Sequence, residues 1–302
     1  MFPDLLPMPS RPSIRLTERD HELLDALASY RFLSIPQATA LYFPSEHAAG
    51  RRLRELAHAG LAVTVFMPVR PYDRTTRTLY ALSGRGARVL APRHHGITPK
   101  HLTTREQRSG LFLAHTLARN DVRIVLENLT SVRPDFTLLA WQQAPEEVQT
   151  SAVIRVGVRA QARVPAVPDG VALCRVNGEC QVLAIEIDMG TVPLIRMARR
   201  YRAYWKAWRA GTPRVRYGPV PYRVLTIANS AKRAEALRTT AVRAPEHGRP
   251  GSRLFWFASL EDVDIKEPAK LLTARFTVAH PQASGGQLFA RHGAHPDLSF
   301  TT

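Results

Sequence analysis

Asn177 and Gly178 stand between two apolar runs, VALCRV and ECQVLAIEID. A two-residue loop of this composition closes an antiparallel hairpin, and it fixes the register of the strands on either side. Val176 falls opposite Glu179, Leu173 opposite Val182, Val171 opposite Ala184 and, continuing outward, Asp169 opposite Glu186. Directly opposed side chains lie about 5 Å apart, so two carboxylates face each other. Asp188, two residues beyond Glu186, points to the same face by the two-residue period of a strand.

Three acids thus converge on one end of a hairpin that is otherwise mostly apolar on both faces, the pattern of a sheet covered by helices on both sides. Like charges this close need compensation. Oxygen-only ligands of this kind suit Mg2+ or Mn2+, which makes Asp169, Glu186 and Asp188 the candidate metal ligands and candidate catalytic residues. The competing reading has Asp169 terminating the strand beside Pro168 while the acids pair with nearby arginines. The same register puts Cys174 and Cys180 on opposite faces, so no disulfide is expected, and two cysteines give neither a disulfide framework nor a metal finger. Nothing in the chain points to an organic cofactor.

The N-terminal third reads differently. Residues 1–13, MFPDLLPMPSRPS, form a tail too broken by proline for a secretory segment. Thr17 with Asp20 opens a helix striped by Leu23, Leu24, Leu27 and Ala28, and Ser34 with Gln37 opens a second that Pro44 stops. Ser45 caps a third, which ends at Gly60. Strands over Leu61–Met67 and Thr78–Leu82 follow, joined by a polar loop bearing Arg70, Arg74 and Arg77. Three helices and a hairpin with a basic tip are the order of a winged helix-turn-helix.

Projected at about 100° per residue, the third helix places Ala49, Leu53, Leu56 and Ala57 on one side and His47, Arg51, Arg54 and His58 on the other. That second face is a candidate surface for a DNA major groove.

The charge fits such a partner. Lys plus Arg number 42 against 25 Asp plus Glu, a net charge of +17, and 37 of the basic residues are Arg. With 45% hydrophobic residues the chain is a folded basic protein rather than a disordered polycation. No apolar run is long enough to span a bilayer, so the expected location is the cytoplasm, without a membrane partner. Expected partners are double-stranded DNA and a second copy in a homodimer.

Residues 92–110 read as a linker between a first domain over 14–91 and a second over 111–265, with 266–302 as a C-terminal extension. Within the second, PLIRMARRYRAYWKAWRA projects as a helix with Leu194, Met197, Ala198, Tyr201, Tyr204, Trp205 and Trp208 in one arc, read as core. Its basic remainder supplies Arg199, Arg202 and Lys206 as candidate phosphate contacts. The expected class is α/β of the α+β kind: a winged helix-turn-helix followed by a mixed-sheet domain.

Pro168-Asp169, then Glu186-x-Asp188 at the end of the next strand, then a basic helix and a further strand, resemble the PD-(D/E)xK nuclease core. That resemblance implies metal binding by Asp169 and Glu186, with Asp188 standing where the superfamily usually has lysine. More specifically, HTLARNDVRIVL (115–126), VPDG (167–170), AIEIDMGT (184–191) and RYRAYW (200–205), in this order behind a winged helix, resemble the replication-relaxation family of bacteria and their mobile elements. LFWFASLEDV (254–263) resembles its closing strand and turn. The resemblance implies a DNA-binding accessory protein of plasmid or mobile-element replication and relaxation, with relaxase or replication proteins as partners and a nuclease-like second domain. Two alternatives stand beside it: an active Mg2+-dependent DNA endonuclease, and a winged-helix transcription regulator.

Overall fold

The computed structural model describes residues 14–67, 77–93, 109–143, 167–244, 254–273 and 277–278. The chain is a mixed α and β protein that divides by its contacts into two units, Met1–Ile124 and Val125–Thr302.

In the first unit, α1 (Glu18–Tyr30), the two-residue β1 (Leu33–Ser34), α2 (Ile35–Tyr42) and α3 (Glu46–His58) precede a hairpin of β2 (Ala62–Met67) and β3 (Arg77–Leu82). The helix starts obey their capping chemistry. Thr17 and Asp20 form the box that opens α1, the Thr17 amide and hydroxyl each donating to Asp20 Oδ2 at 2.7 Å. Ser34 and Gln37 exchange bonds at the start of α2, and Ser45 Oγ accepts from the Ala48 amide at the start of α3. Gly60, at φ 73°, turns the chain out of α3. Leu23, Leu24 and Leu27 of α1 and Leu53 and Leu56 of α3 are buried, each contributing roughly 1.5–3 kcal/mol by leaving water.

Two elements of the first unit have no counterpart in the sequence reading. β1 pairs antiparallel with β3, Leu33 opposite Tyr80, and is too short to show a period. α4 (Gly84–Leu90) starts at Ser83, whose Oγ accepts from the Gly86 amide and donates to Gly60 O. Its sequence, GRGARVL, is too rich in glycine to read as a helix. Gly86 is required there, because a Cβ would lie 2.2 Å from Leu61 O.

Helix α5 (Gly110–Val132) begins where the second domain was expected, but the division between the units falls inside it, after Ile124. Its first half belongs to the first unit: Leu113 and Leu117 pack with Phe32, Leu79 and Ala81. Asn120 Nδ2 donates to Tyr30 O at 3.2 Å and Phe32 O at 2.7 Å, and Gln37 Nε2 donates to Leu117 O and Asp121 Oδ1.

The second unit is built on a sheet that, among the described residues, runs β4 (Phe136–Gln143), β5 (Gly170–Val176), β6 (Glu179–Asp188), β7 (Tyr222–Ala228), β8 (Phe255–Ser259) and β9 (Thr277–Val278) in spatial order. β4, β5 and β6 form an antiparallel meander, β6, β7 and β8 are parallel, and β9 closes antiparallel. The hairpin register is the expected one from Val176 opposite Glu179 to Gly170 opposite Ile185, with Asn177 at φ 51° and Gly178 at φ 84° in the loop.

Parallel strands need crossovers. These are α6 (Leu194–Arg209) with the short α7 (Thr212–Tyr217) between β6 and β7, and α8 (Ala231–Arg243) between β7 and β8. Met197, Tyr201 and Tyr204 of α6 and Ala234, Leu237 and Ala241 of α8 pack over Ala184, Val224, Ala228, Phe255 and Phe257, one face of the sheet. The opposite face, with Leu183, Ile185, Leu225 and Ile227, is buried too, as apolar runs on both faces require.

Past residue 265, the helical turn α9 (Lys270–Thr273) and β9 follow, and β9 adds to the edge of β8 with Trp256 opposite Val278. The start of the expected C-terminal extension is therefore part of the sheet. The expected tail, 1–13, and most of the expected linker lie outside the described residues.

Candidate functional site

β6 presents Glu186 and Asp188 on the face that α6 and α8 cover, and both are buried, at 1% and 3% exposure. β5 starts at Gly170, so Asp169 stands just before the strand and does not extend the regular ladder. Its amide donates to Ile185 O at 2.8 Å, and its Oδ2 accepts from the Ile187 amide at 2.8 Å. It clasps β6 from the hairpin's open end. The three acids are close enough to act on one another, since the charges of Asp169 and Asp188 both push the Glu186 carboxyl up.

Each acid is already engaged. Glu186 Oε1 accepts from the Tyr204 hydroxyl. Oε2 lies 3.0 Å from Arg200 Nη1, yet the direction is not that of a hydrogen bond, so this oxygen has a charge partner but no hydrogen-bond donor among the described residues. Arg200 Nη2 donates to Val167 O at 3.0 Å, tying α6 to the segment that carries Asp169.

Asp188 is held more completely. Arg233 Nε and Nη2 reach its two oxygens at 2.9 and 3.1 Å, and the Gly190 amide adds a third bond at 2.8 Å. Arg233 also donates to Val192 O. It stands in the first turn of α8, which Ser230 caps. Parallel pairing of Asp188 with Ala228 brings that turn beside the end of β6.

Burial dominates the electrostatics. Desolvation pushes the Glu186 carboxyl up to about 8, against the pull of Arg200. Arg200 is in turn held above its ordinary range, chiefly by Glu186, and remains a cation. Burial also raises Tyr204 well above the usual phenol value, which keeps its hydroxyl a donor to Glu186.

A divalent cation needs several oxygens turned toward one point. Here the oxygens face arginines, a tyrosine and backbone amides, and no group of three or more His, Cys, Asp and Glu side chains among the described residues is arranged to hold a metal ion. As arranged, the site does not fit Mg2+ or Mn2+. Of the two readings open at the sequence level, the geometry matches pairing with nearby arginines, and it identifies them as Arg200 and Arg233. Arg233 was missed because 45 residues separate it from Asp188. Its available signal was positional, a helix start directly after a parallel strand.

The basic residues fall into two sets. On α3 of the first unit, His47, Arg51 and Arg54 are exposed together with His58, opposite the buried Ala49, Leu53 and Leu56. The Arg51 side chain is 70% exposed, its Nε 4.0 Å from Glu55, and Arg54 Nε donates back to Gly50 O. Arg77 opens β3 opposite Met67, while Arg70 and Arg74 lie outside the described residues.

Arg52, between the two outward arginines, does something the sequence reading overlooked. Its Nε and Nη2 clamp the Asp20 oxygens at 2.6 and 2.5 Å, joining α3 to the start of α1. Burial pushes the Asp20 carboxyl up, but bonds from Arg52 and Thr17 outweigh it and hold the carboxyl below its ordinary value.

On α6 of the second unit, Arg199 is exposed and Arg202 and Lys206 are half-buried. The expected core arc of this helix needs correction. Tyr201 and Tyr204 are buried, whereas Leu194 is 38% and Trp208 36% exposed, because these two stand at the helix ends, beyond the sheet residues that the centre covers. Among the described residues no helix is long and apolar enough to cross a membrane.

A family model described as replication-relaxation matches residues 24–222, about two thirds of the chain. No curated protein and no solved structure matches.

Proposed function

This chain belongs to the replication-relaxation family, and from that premise we propose that it is a DNA-binding accessory protein of plasmid or mobile-element replication and relaxation. In this reading the first unit is a winged helix-turn-helix that binds double-stranded DNA through His47, Arg51 and Arg54 of α3 and through Arg70, Arg74 and Arg77 of the hairpin. The second unit is a PD-(D/E)xK nuclease-like domain whose acidic centre serves the fold. Arg199, Arg202 and Lys206 give it a second basic surface.

The observation that carries this reading is α3. Its apolar face is buried and its opposite face is a row of exposed basic side chains, two of them arginines with the planar fork that suits phosphates and guanine edges. The second unit supports the non-catalytic half, since Tyr204 and Arg200 occupy the oxygens of Glu186 and Arg233 occupies both oxygens of Asp188.

One observation favours the alternative, an active Mg2+- or Mn2+-dependent endonuclease: Asp169, Glu186 and Asp188 remain within electrostatic reach of one another. That activity requires Arg200 and Arg233 to withdraw. Supercoiled plasmid incubated with the protein in Mg2+ and in Mn2+, beside an Asp169→Ala/Glu186→Ala double variant and an EDTA control, separates the two. A band shift without nicking, retained by the variant, is expected. Metal-dependent nicking that disappears in the variant would make the protein a nuclease.

A further inference from the structure

The exposed end of α6 carries an arrangement that duplex binding does not use. Trp205 and Trp208, one turn apart, stack with ring centroids 5.3 Å apart and planes 27° from parallel. Trp208 is 36% exposed and Trp205 half-buried. On the helical projection Arg202 and Arg209 neighbour Trp205 at i−3 and i+4, with Lys206 beside them. Beyond the Gly211 turn, α7 continues the pattern, with Arg216 over the Tyr217 ring at 5.3 Å and Tyr217 stacked on Tyr222.

The charge around this ledge is one-signed. From Asp188 to Glu235 the chain has no acidic residue between, although eleven of the intervening residues are Lys or Arg. Such a surface attracts a polyanion. An indole ledge adds a second requirement, because flat rings can stack only on bases whose faces are free. Bases in a duplex are already stacked on each other, while those of a single strand can stack on protein aromatics as its phosphates follow the cations.

We propose that the Trp205–Trp208 ledge of α6, rimmed by Arg202, Lys206 and Arg209, binds single-stranded DNA by base stacking. This deepens the DNA-binding reading and rests on it, sharing Arg202 and Lys206 with its second basic surface but adding the two indoles, to which that reading gives no role.

The test titrates the full-length protein with an oligo-dT of about 20 nucleotides and with a duplex of equal length, following anisotropy and tryptophan fluorescence. The protein should bind oligo-dT with quenching of its emission. Trp208→Ala should weaken that binding about tenfold, lose most of the quenching, and leave both duplex affinity and thermal melting unchanged. Trp208→Phe, which keeps an aromatic face, should recover most of the affinity. Lys206→Ala/Arg209→Ala should weaken oligo-dT binding and flatten its salt dependence, which decides the matter even if Trp208→Ala folds poorly.

Two results would overturn the proposal: a wild-type protein that binds duplex but not oligo-dT, or a folded Trp208→Ala protein that binds and is quenched like wild type. Oligo-dT binding that depends on Trp208, alongside duplex binding indifferent to Arg51 and Arg54, would leave the ledge standing and remove the proposed role of α3.

Discussion

Glu186 is a carboxyl that the fold prefers to keep protonated. Its folded value lies near 8 and its ordinary value near 4.5, so between those limits the native state holds a proton that the unfolded chain releases. Stability contributed by that proton is present below about pH 4.5 and falls as pH rises toward 8. Glu186→Gln removes the titration while keeping the shape and an acceptor for Tyr204. The variant should therefore gain on the wild type by on the order of 1–3 kcal/mol from pH 5 to pH 8, read from paired denaturant melts. Parallel stability profiles would mean that Arg200 keeps Glu186 ionised throughout.

Asp188 poses the opposite case, a buried charge that is fully paired. Arg233→Met leaves Asp188 with only the Gly190 amide and should cost about 3–5 kcal/mol, as expected when one partner of a buried ion pair is removed. Asp188→Asn combined with Arg233→Met should be less destabilised than the two single losses added together, giving a coupling energy above about 1 kcal/mol. Additive losses would show that the two side chains do not interact. The convergence of these acids was legible because Asn177-Gly178 sets a register that period-2 geometry carries nine residues along β6. Their partners were not, because Arg200 and Arg233 arrive through tertiary packing of α6 and α8, and no local spacing encodes that.

At the scale of the element, α3 divides its arginines by direction. Arg51 and Arg54 point to solvent and Arg52 points inward to Asp20. Removing the first two should leave the fold intact and reduce duplex affinity, about tenfold or more where a bidentate base contact is lost. Arg52→Ala should do the reverse, costing about 2–4 kcal/mol because Asp20, almost wholly buried, is left without its cation.

The pH signature of this pair is acidic. Asp20 is held below its ordinary value of 3.8, so its stabilisation is present above that value and is lost as pH falls through the folded one. Arg52→Ala should flatten the acid limb of the stability curve, and an unaltered limb would exclude Asp20 as its source. Helix starts were readable here because Ser, Thr, Asp and Gln satisfy backbone amides locally. The inward turn of Arg52 was not, since helical projection gives a residue's angle around the axis but not which neighbouring element fills that side. Trp208 failed for a related reason: a helix longer than the sheet residues beneath it leaves its ends uncovered, and an apolar arc in projection contains no information about where the sheet stops.

Across the whole molecule the charge is +17, yet it is unevenly placed, with an acid-free tract in the second unit and a single outward row on α3 in the first. Non-specific attraction to a polyanion would scale with the total charge, whereas the dependence of a DNA affinity on salt counts only the cations that displace counterions from phosphates. If both surfaces engage one duplex, Arg51→Ala/Arg54→Ala and Arg199→Ala/Lys206→Ala should each lower the slope of log affinity against log salt by roughly 1–2, and the quadruple variant by about their sum. If the duplex uses α3 alone, the second pair will leave the slope unchanged, and the basic surface of α6 is then free for the single strand whose bases the Trp205–Trp208 ledge would stack. The slope thus assigns each surface its ligand without requiring the target sequence to be known.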